Sequence, residues 1–227
     1  MKASHEHEWE AAPGLPSALP AGERVVWQGR PEWRQMALHA FHVRKIAVYF
    51  ALMLAVQALN LTAPDSGSGW KAMTDVEWKS LWVAASLYAF ALALLLGTAW
   101  LSASSTLYTL TNKRVVMRIG IVLTLTFNLP YKRIAGASIK HHAKGFGDIA
   151  LALYPEDRIG WAHLWPHQRA WYISQPQPTL RCLPESDPLG QQLLALWRAE
   201  RSGENLNLGD VSADAGVTAH PHQGLMV

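Results

Sequence analysis

Two stretches of the chain are apolar without interruption. Leu81 to Leu101 reads LWVAASLYAFALALLLGTAWL, with neither charge nor proline. At 1.5 Å rise per residue such a helix is about 31 Å long, the thickness of a bilayer's hydrocarbon core. Trp82 and Trp100 sit near its ends, where an indole keeps its N–H wet and its ring in lipid. Ile46 to Leu61, IAVYFALMLAVQALNL, is shorter and contains Gln57 and Asn60. It reaches spanning length if Arg44 and Lys45 snorkel to the headgroups. The pattern predicts a transmembrane hairpin with spans of about 44–62 and 81–101, joined by a connector around Asp65–Gly69.

After Leu101 the period changes to two. Polar and apolar positions alternate through Tyr108–Thr111, Val115–Ile119 and Leu123–Phe127, with breaks at Asn112-Lys113 and Gly120. That is an antiparallel meander with one buried face. Ile134–Ile139 and Ile149–Leu153 are further strands, with Gly145-Phe146-Gly147-Asp148 as the turn between them. The stretch around Trp161, Leu164 and Trp171–Ile173 reads as more sheet. A helix follows: Asp187 is its N-cap, Pro188 suits its first turn, and Leu189, Leu193, Leu194 and Trp197 form its apolar stripe. The expected fold is α+β: a two-helix transmembrane hairpin, then a PH-like antiparallel β-barrel or sandwich capped by a C-terminal helix. Four regions result: an N-terminal segment (1–35), the hairpin (36–101), the PH-like domain (102–201) and a disordered tail (202–227).

Charge sets the orientation. The chain has 227 residues, with 20 Lys+Arg, 17 Asp+Glu and 16% charged residues, below the roughly 25% of soluble domains. Arg30, Arg34, Arg44 and Lys45 precede the hairpin and Lys113, Arg114 and Arg118 follow it, against Lys71 and Lys79 in the connector. The positive-inside rule then puts both termini in the cytoplasm. MKASHEHEWEAAPGLP lacks the apolar centre of a signal peptide. A single cysteine, Cys182, excludes an intrachain disulfide framework and a multi-thiolate zinc site.

YTLTNKRVVMRIG, followed by LPYKRIAGASI and GFGDIAL, resembles the bacterial PH-like domain that follows paired membrane helices. With GERVVWQGRPEWRQMALHAFHVRK ahead of the hairpin, residues 23–197 resemble the photosynthetic complex assembly proteins of purple bacteria, the PuhB family. The resemblance implies a non-enzymatic assembly factor in the inner, intracytoplasmic photosynthetic membrane. Its partners would be reaction-centre and light-harvesting 1 subunits and membrane lipids. It brings no catalytic residues and no cofactor, and a PH-like fold alone does not imply phosphoinositide binding. The alternative is a membrane-anchored PH-like protein that binds anionic lipid in an envelope role unrelated to photosynthesis.

The candidate binding residues are basic. No acidic residue lies between Lys79 and Asp148, while Lys113, Arg114, Arg118, Lys132, Arg133, Lys140 and Lys144 all do. Such a face can rest on anionic headgroups, at on the order of 1 kcal/mol per well-placed side chain, or dock an acidic client surface. It can equally be a set of solvated turn residues. Nucleic acid is not expected, since there is no basic arm or aromatic reading platform; homo-oligomerisation stays open. Arg44, Lys45, Trp82 and Trp100 are the membrane-interface candidates.

His39 and His42 share a face if one helix carries both, but interfacial hydrogen bonding suits them better than pigment or metal ligation. His5/His7, His141/His142 and His220/His222 show no third ligand, so no metal is expected. Trp27, Trp33, Trp70 and Trp78 extend the aromatic belt, and Trp161, Trp165, Trp171 and Trp197 read as domain core. Walker, G-x-S-x-G and H-E-x-x-H motifs are absent. Asp148, Glu156 and Asp157 read as turn carboxylates.

Overall fold

A computed structural model describes Leu15 and residues 19–62, 75–121, 123–157 and 159–202. The Asp65–Gly69 connector, Trp70, Lys71, the terminal histidine pairs and the 203–227 tail lie outside these residues. The chain divides into two units. One comprises Met1–Glu32 with Ser104–Val227, the other Trp33–Ala103.

In the helical unit, α1 (Trp33–His39) is followed by α2 (Val43–Thr62) and α3, which runs from Asp75 to Ser105 across the unit boundary. Both long helices are long and apolar enough to cross a membrane. Their outer faces expose Val48, Leu52 and Leu59, and Leu87, Phe90 and Leu94. Their facing sides meet through Phe50 and Tyr88, whose rings stack 4.5 Å apart and nearly parallel. α3 begins at Asp75, earlier than the expected 81. Lys79 therefore lies on the helix, and the connector is shorter than predicted. His39 and His42 do not share a helix face. The chain breaks between α1 and α2, and His42 sits at φ 53°.

The other unit contains two antiparallel sheets. Its first is β1 (Val25–Gly29), β2 (Leu107–Thr111), β3 (Arg114–Ile119) and β4 (Leu125–Pro130), in that spatial order. The second is β5 (Ile134–His141), β6 (Gly147–Leu153) and β7 (Thr179–Leu183). The two are joined by a 3-10 turn at Tyr131–Arg133. Among the described residues no strand ladder links the sheets, so the expected closed barrel is not formed. The strands fall where the alternation predicts, but Tyr108–Thr111 and Val115–Met117 are buried on both faces, so the expected single buried face is not what the structure has. Gly120, at φ 128°, makes the β3–β4 bend, where a Cβ would run into the carbonyl of Leu123.

Three expectations need correction. β1 belongs to this sheet and not to a separate N-terminal segment: Val25 pairs with Thr111 and Gly29 with Tyr108. Trp27 consequently packs against the sheet core, not in a membrane belt. Trp161–Leu164 forms a short helix and 171–173 lies in turns; the strand is β7, further along. Pro166, Pro176 and Pro178 lack the N–H that a strand ladder needs, which breaks up any strand there.

The last helix, α4 (Ser186–Ser202), starts one residue before Asp187, and its buried stripe is Leu189, Leu193 and Leu196. Leu194 is on the outer side, and Trp197 donates its indole N–H to the Ile134 carbonyl at 3.0 Å. These side chains join Tyr108, Leu110, Val115, Met117, Ile149, Leu151 and Leu180 in one core. The helix thus lies over the apolar faces that the strands cannot cover themselves.

This packing separates two neighbouring leucines. Leu193→Ala should cost about 2–5 kcal/mol, as for a buried leucine, whereas Leu194→Ala should cost under about 1 kcal/mol. Denaturant unfolding of the two variants reads the difference; equal losses would contradict the observed stripe.

Candidate functional site

The seven basic candidates are distributed over three places. Lys113, Arg114, Lys132 and Arg133 gather where the β2–β3 turn meets the β4–β5 corner, joined by the Tyr131 N–H donating to the Lys113 carbonyl at 3.2 Å. Arg118 is at the other end of β3, five residues or roughly 16 Å along the strand. Lys140 and Lys144 lie at the far end of β5 from Arg133, roughly 20 Å away by the same rise. A continuous basic face does not form, because strand reversal sends alternate turns to opposite ends of a sheet.

Several of these charges are already engaged. Arg114 makes two hydrogen bonds to Glu23, Nε to Oε1 at 2.6 Å and Nη2 to Oε2 at 2.9 Å, and the Glu23 side chain is only 3% exposed. Thr111 donates to the same carboxylate at 2.8 Å. Beside it, the Asn112 side chain bridges the Arg24 N–H and the Gly22 carbonyl, both at 2.9 Å. Arg133 pairs with Asp157, and Lys132 reaches Glu200 at 3.4 Å. Lys113, Lys140 and Lys144 are exposed and make no ion pair with a described residue. Arg114 therefore clamps the start of β1 to the β2–β3 turn. Arg44 and Lys45 stand exposed in the first turn of α2, and Trp82 and Trp100 are exposed on α3.

A buried polar centre escaped the sequence reading. Tyr108 Oη lies 2.6 Å from His167 Nδ1, and Thr106 Oγ1 lies 3.0 Å from His167 Nε2. The Arg181 backbone N–H donates to the same tyrosine oxygen at 3.2 Å. Complete burial holds His167 neutral, its pKa lowered to about 3, with the Arg181 charge acting in the same direction. The only signal in the sequence was a histidine beside Pro166, which does not announce burial.

Next to it, Asp148 is a buried strand residue and not a turn carboxylate. Its Oδ1 accepts the Cys182 N–H at 2.8 Å, while His142 Nε2 lies 3.0 Å from Oδ2 and Arg181 Nη1 3.8 Å from it. His142, Asp148 and Cys182 offer a nitrogen, an oxygen and a sulfur within 4.8 Å of one another. That supplies the third partner that His142 lacked in sequence, and the donor types are those zinc accepts. Each donor nevertheless has a local use here. The carboxylate serves the Arg181 guanidinium, the His142 ring and an N–H, and burial, the largest effect, raises the thiol pKa. The same burial makes Cys182 a poor nucleophile.

A cleft of about 610 Å³ lies along the open edge of β4, lined by Phe127, Leu129, Leu153 and Ile159 with Arg133, Glu156 and Asp157 at its rim. Phe127, Leu153 and Ile159 are half-buried against the core.

Residues 50–196 match the bacterial PH domain family. An uncharacterised 23.7 kDa protein in the puhA 5′ region of Rhodobacter capsulatus is 35% identical over 191 residues, covering 83% of this chain and 86% of the relative. No solved structure matches the chain.

The neutral His167 makes stability depend on pH. Its folded pKa is below the unfolded value of about 6.5, so its contribution is fully present above that pH. It is lost progressively as the pH falls from about 6.5 towards about 3. His167→Gln should flatten this part of the stability profile relative to the parent chain. Denaturation midpoints measured at several pH values between 7 and 4 check it, and parallel profiles would contradict the assignment.

Proposed function

The chain belongs to the bacterial PH domain family, and on that premise we propose that it is a non-enzymatic, membrane-held docking factor. Its clients are subunits of the photosynthetic reaction-centre–light-harvesting 1 complex during assembly. The structural support is the pairing of β1 with β2 around the two apolar helices. Gly29 and Tyr108 are ladder partners, about 5 Å apart in such a pair. Whatever path residues 30–107 take, it begins and ends at the same place. A membrane path between those points has an even number of crossings. Two apolar helices satisfy this, with both termini on the cytoplasmic side of the inner, intracytoplasmic membrane as the basic flanks require.

Confinement to the membrane plane raises the effective concentration of the sheet unit at membrane clients without any new contact. The exposed Lys113, Lys140 and Lys144 then bias encounters towards acidic surfaces. The assembly assignment itself is supported by the PuhB-type resemblance and by the location of the Rhodobacter capsulatus relative in the puhA 5′ region. Catalysis has no part in this reading: the buried cysteine and histidine are both held in unreactive states by their surroundings.

Two measurements test it. A reporter inserted in the 63–74 segment should be active only on the periplasmic side, and reporters at either terminus only in the cytoplasm. Termini on opposite sides would end the even-crossing argument. Deletion of the gene should lower assembled core complex while pigment synthesis continues, and normal core-complex levels would remove the assembly role.

A further inference from the structure

We propose that two loops of the sheet unit, one carrying Ile121 and Leu123 and the other residues 161–173, form an apolar collar that seats in the headgroup layer of the bilayer. Both loops adjoin Thr106 and Leu107, the point where the chain leaves α3. The proposal rests on the membrane-crossing reading above, and adds a second, non-helical attachment to lipid.

Both loops are rooted at that point. Leu107, the first strand residue after α3, is opposite Arg118, and the loop carrying Ile121 and Leu123 follows directly on β3. The second loop is tied there by His167, which bonds Thr106 and Tyr108. At about 3.3 Å per extended residue, Trp165 lies within roughly 7 Å of His167 and Trp171 within roughly 13 Å. Thr106 is five residues past the apolar run ending at Leu101, about 7.5 Å of helix rise. That distance is comparable to the polar layer outside the hydrocarbon core, about 5–7 Å on each side.

The loops expose what a water-facing turn rarely does. Leu123 is 79% exposed, Trp171 94% and Ile173 66%, with Trp165 at 52% and Ile121 at 43%. Single exposed apolar residues are ordinary, but this grouping at one chain exit is not. Trp171 also has φ 69°, a left-handed conformation that a bulky side chain adopts rarely. The Arg169 guanidinium is stacked 4.4 Å from the Tyr172 ring centre, pairing a cation with an amphipathic ring as headgroup-level side chains do. Tryptophan and tyrosine prefer this layer because one end of each ring is apolar and the other polar. Lipid is favoured over a client protein as the occupant because the same point of the chain leads directly into a helix long and apolar enough to cross a membrane, with Leu87, Phe90, Leu94 and Trp100 exposed on it.

The test uses the full chain in phosphatidylcholine–phosphatidylglycerol vesicles. Nitroxide labels are placed singly on Trp171→Cys and Leu123→Cys, with Leu94→Cys in α3 and Lys113→Cys at the opposite turn as references. Cys182 is fully buried and unlabelled. Labels at 171 and 123 should collide with a water-soluble nickel chelate several-fold less than the label at 113, while that at 94 is deepest. Collision rates at 171 and 123 equal to those at 113, with 94 still in lipid, would overturn the collar alone. Shielding at 171 and 123 only when client subunits are added would overturn it in favour of a protein contact. An aqueous label at 94 would defeat the membrane-crossing reading, and the collar with it.

Discussion

The constraint on which the rest depends is a strand pair formed across a long insertion. β1 and β2 are neighbours in the sheet, yet residues 30–106 lie between them. Closing such a loop carries an entropy cost that grows only logarithmically with its length, so the insertion is tolerated provided the ends are held firmly. They are held at the start of β1 by the buried Glu23 carboxylate, which takes two hydrogen bonds from Arg114 and one from Thr111. The Asn112 amide adds two bonds across the same join. Charge-assisted, bidentate bonds of this kind are among the stronger polar contacts available. Apolar burial of Val26 and Trp27 against the core supplies the remainder.

The polar interior serves the same end by different chemistry. Tyr108 occupies the centre of a network that reaches Thr106 on one side and Arg181 on the other, through a neutral histidine. Asp148 gathers His142, Arg181 and the Cys182 backbone in the second sheet. Buried polar groups of this kind are costly when unsatisfied, so each arrangement favours one mutual setting of its strands. The residues that look most reactive in this protein thereby become fixed. Exposed basic and apolar side chains are instead found where the sheet ends, in turns such as those of Lys113, Leu123 and Lys144.

Much of the plan could be read from periodicity. The apolar runs gave α2 and α3, and alternation gave β2, β3 and β4, although β2 and β3 are buried on both faces in the fold. β1 was missed even though Val25, Val26 and Trp27 are strand-forming residues after the Gly22 turn, because its partner lies beyond the helices. β7 is short and buried on every residue, so it has no alternation to detect. In the last helix, Leu193 and Leu194 are equally apolar, and only contact with the strands decides which one is buried. The basic candidates illustrate the same limit. Their run along the chain suggested one face, but the turns carrying them point to different ends.

The amino-acid order alone determined two long apolar helices, a following antiparallel meander and an amphipathic helix at its end. Each depends on interactions a few residues apart. Tertiary structure decided that the first strand joins the sheet, that Arg114 is a clamp, that Asp148 and His167 are buried, and that Trp165 and Trp171 face outward. Those outcomes depend on which distant segments meet, and burial of a polar or aromatic side chain is a property of its neighbours in space, not of its neighbours along the chain.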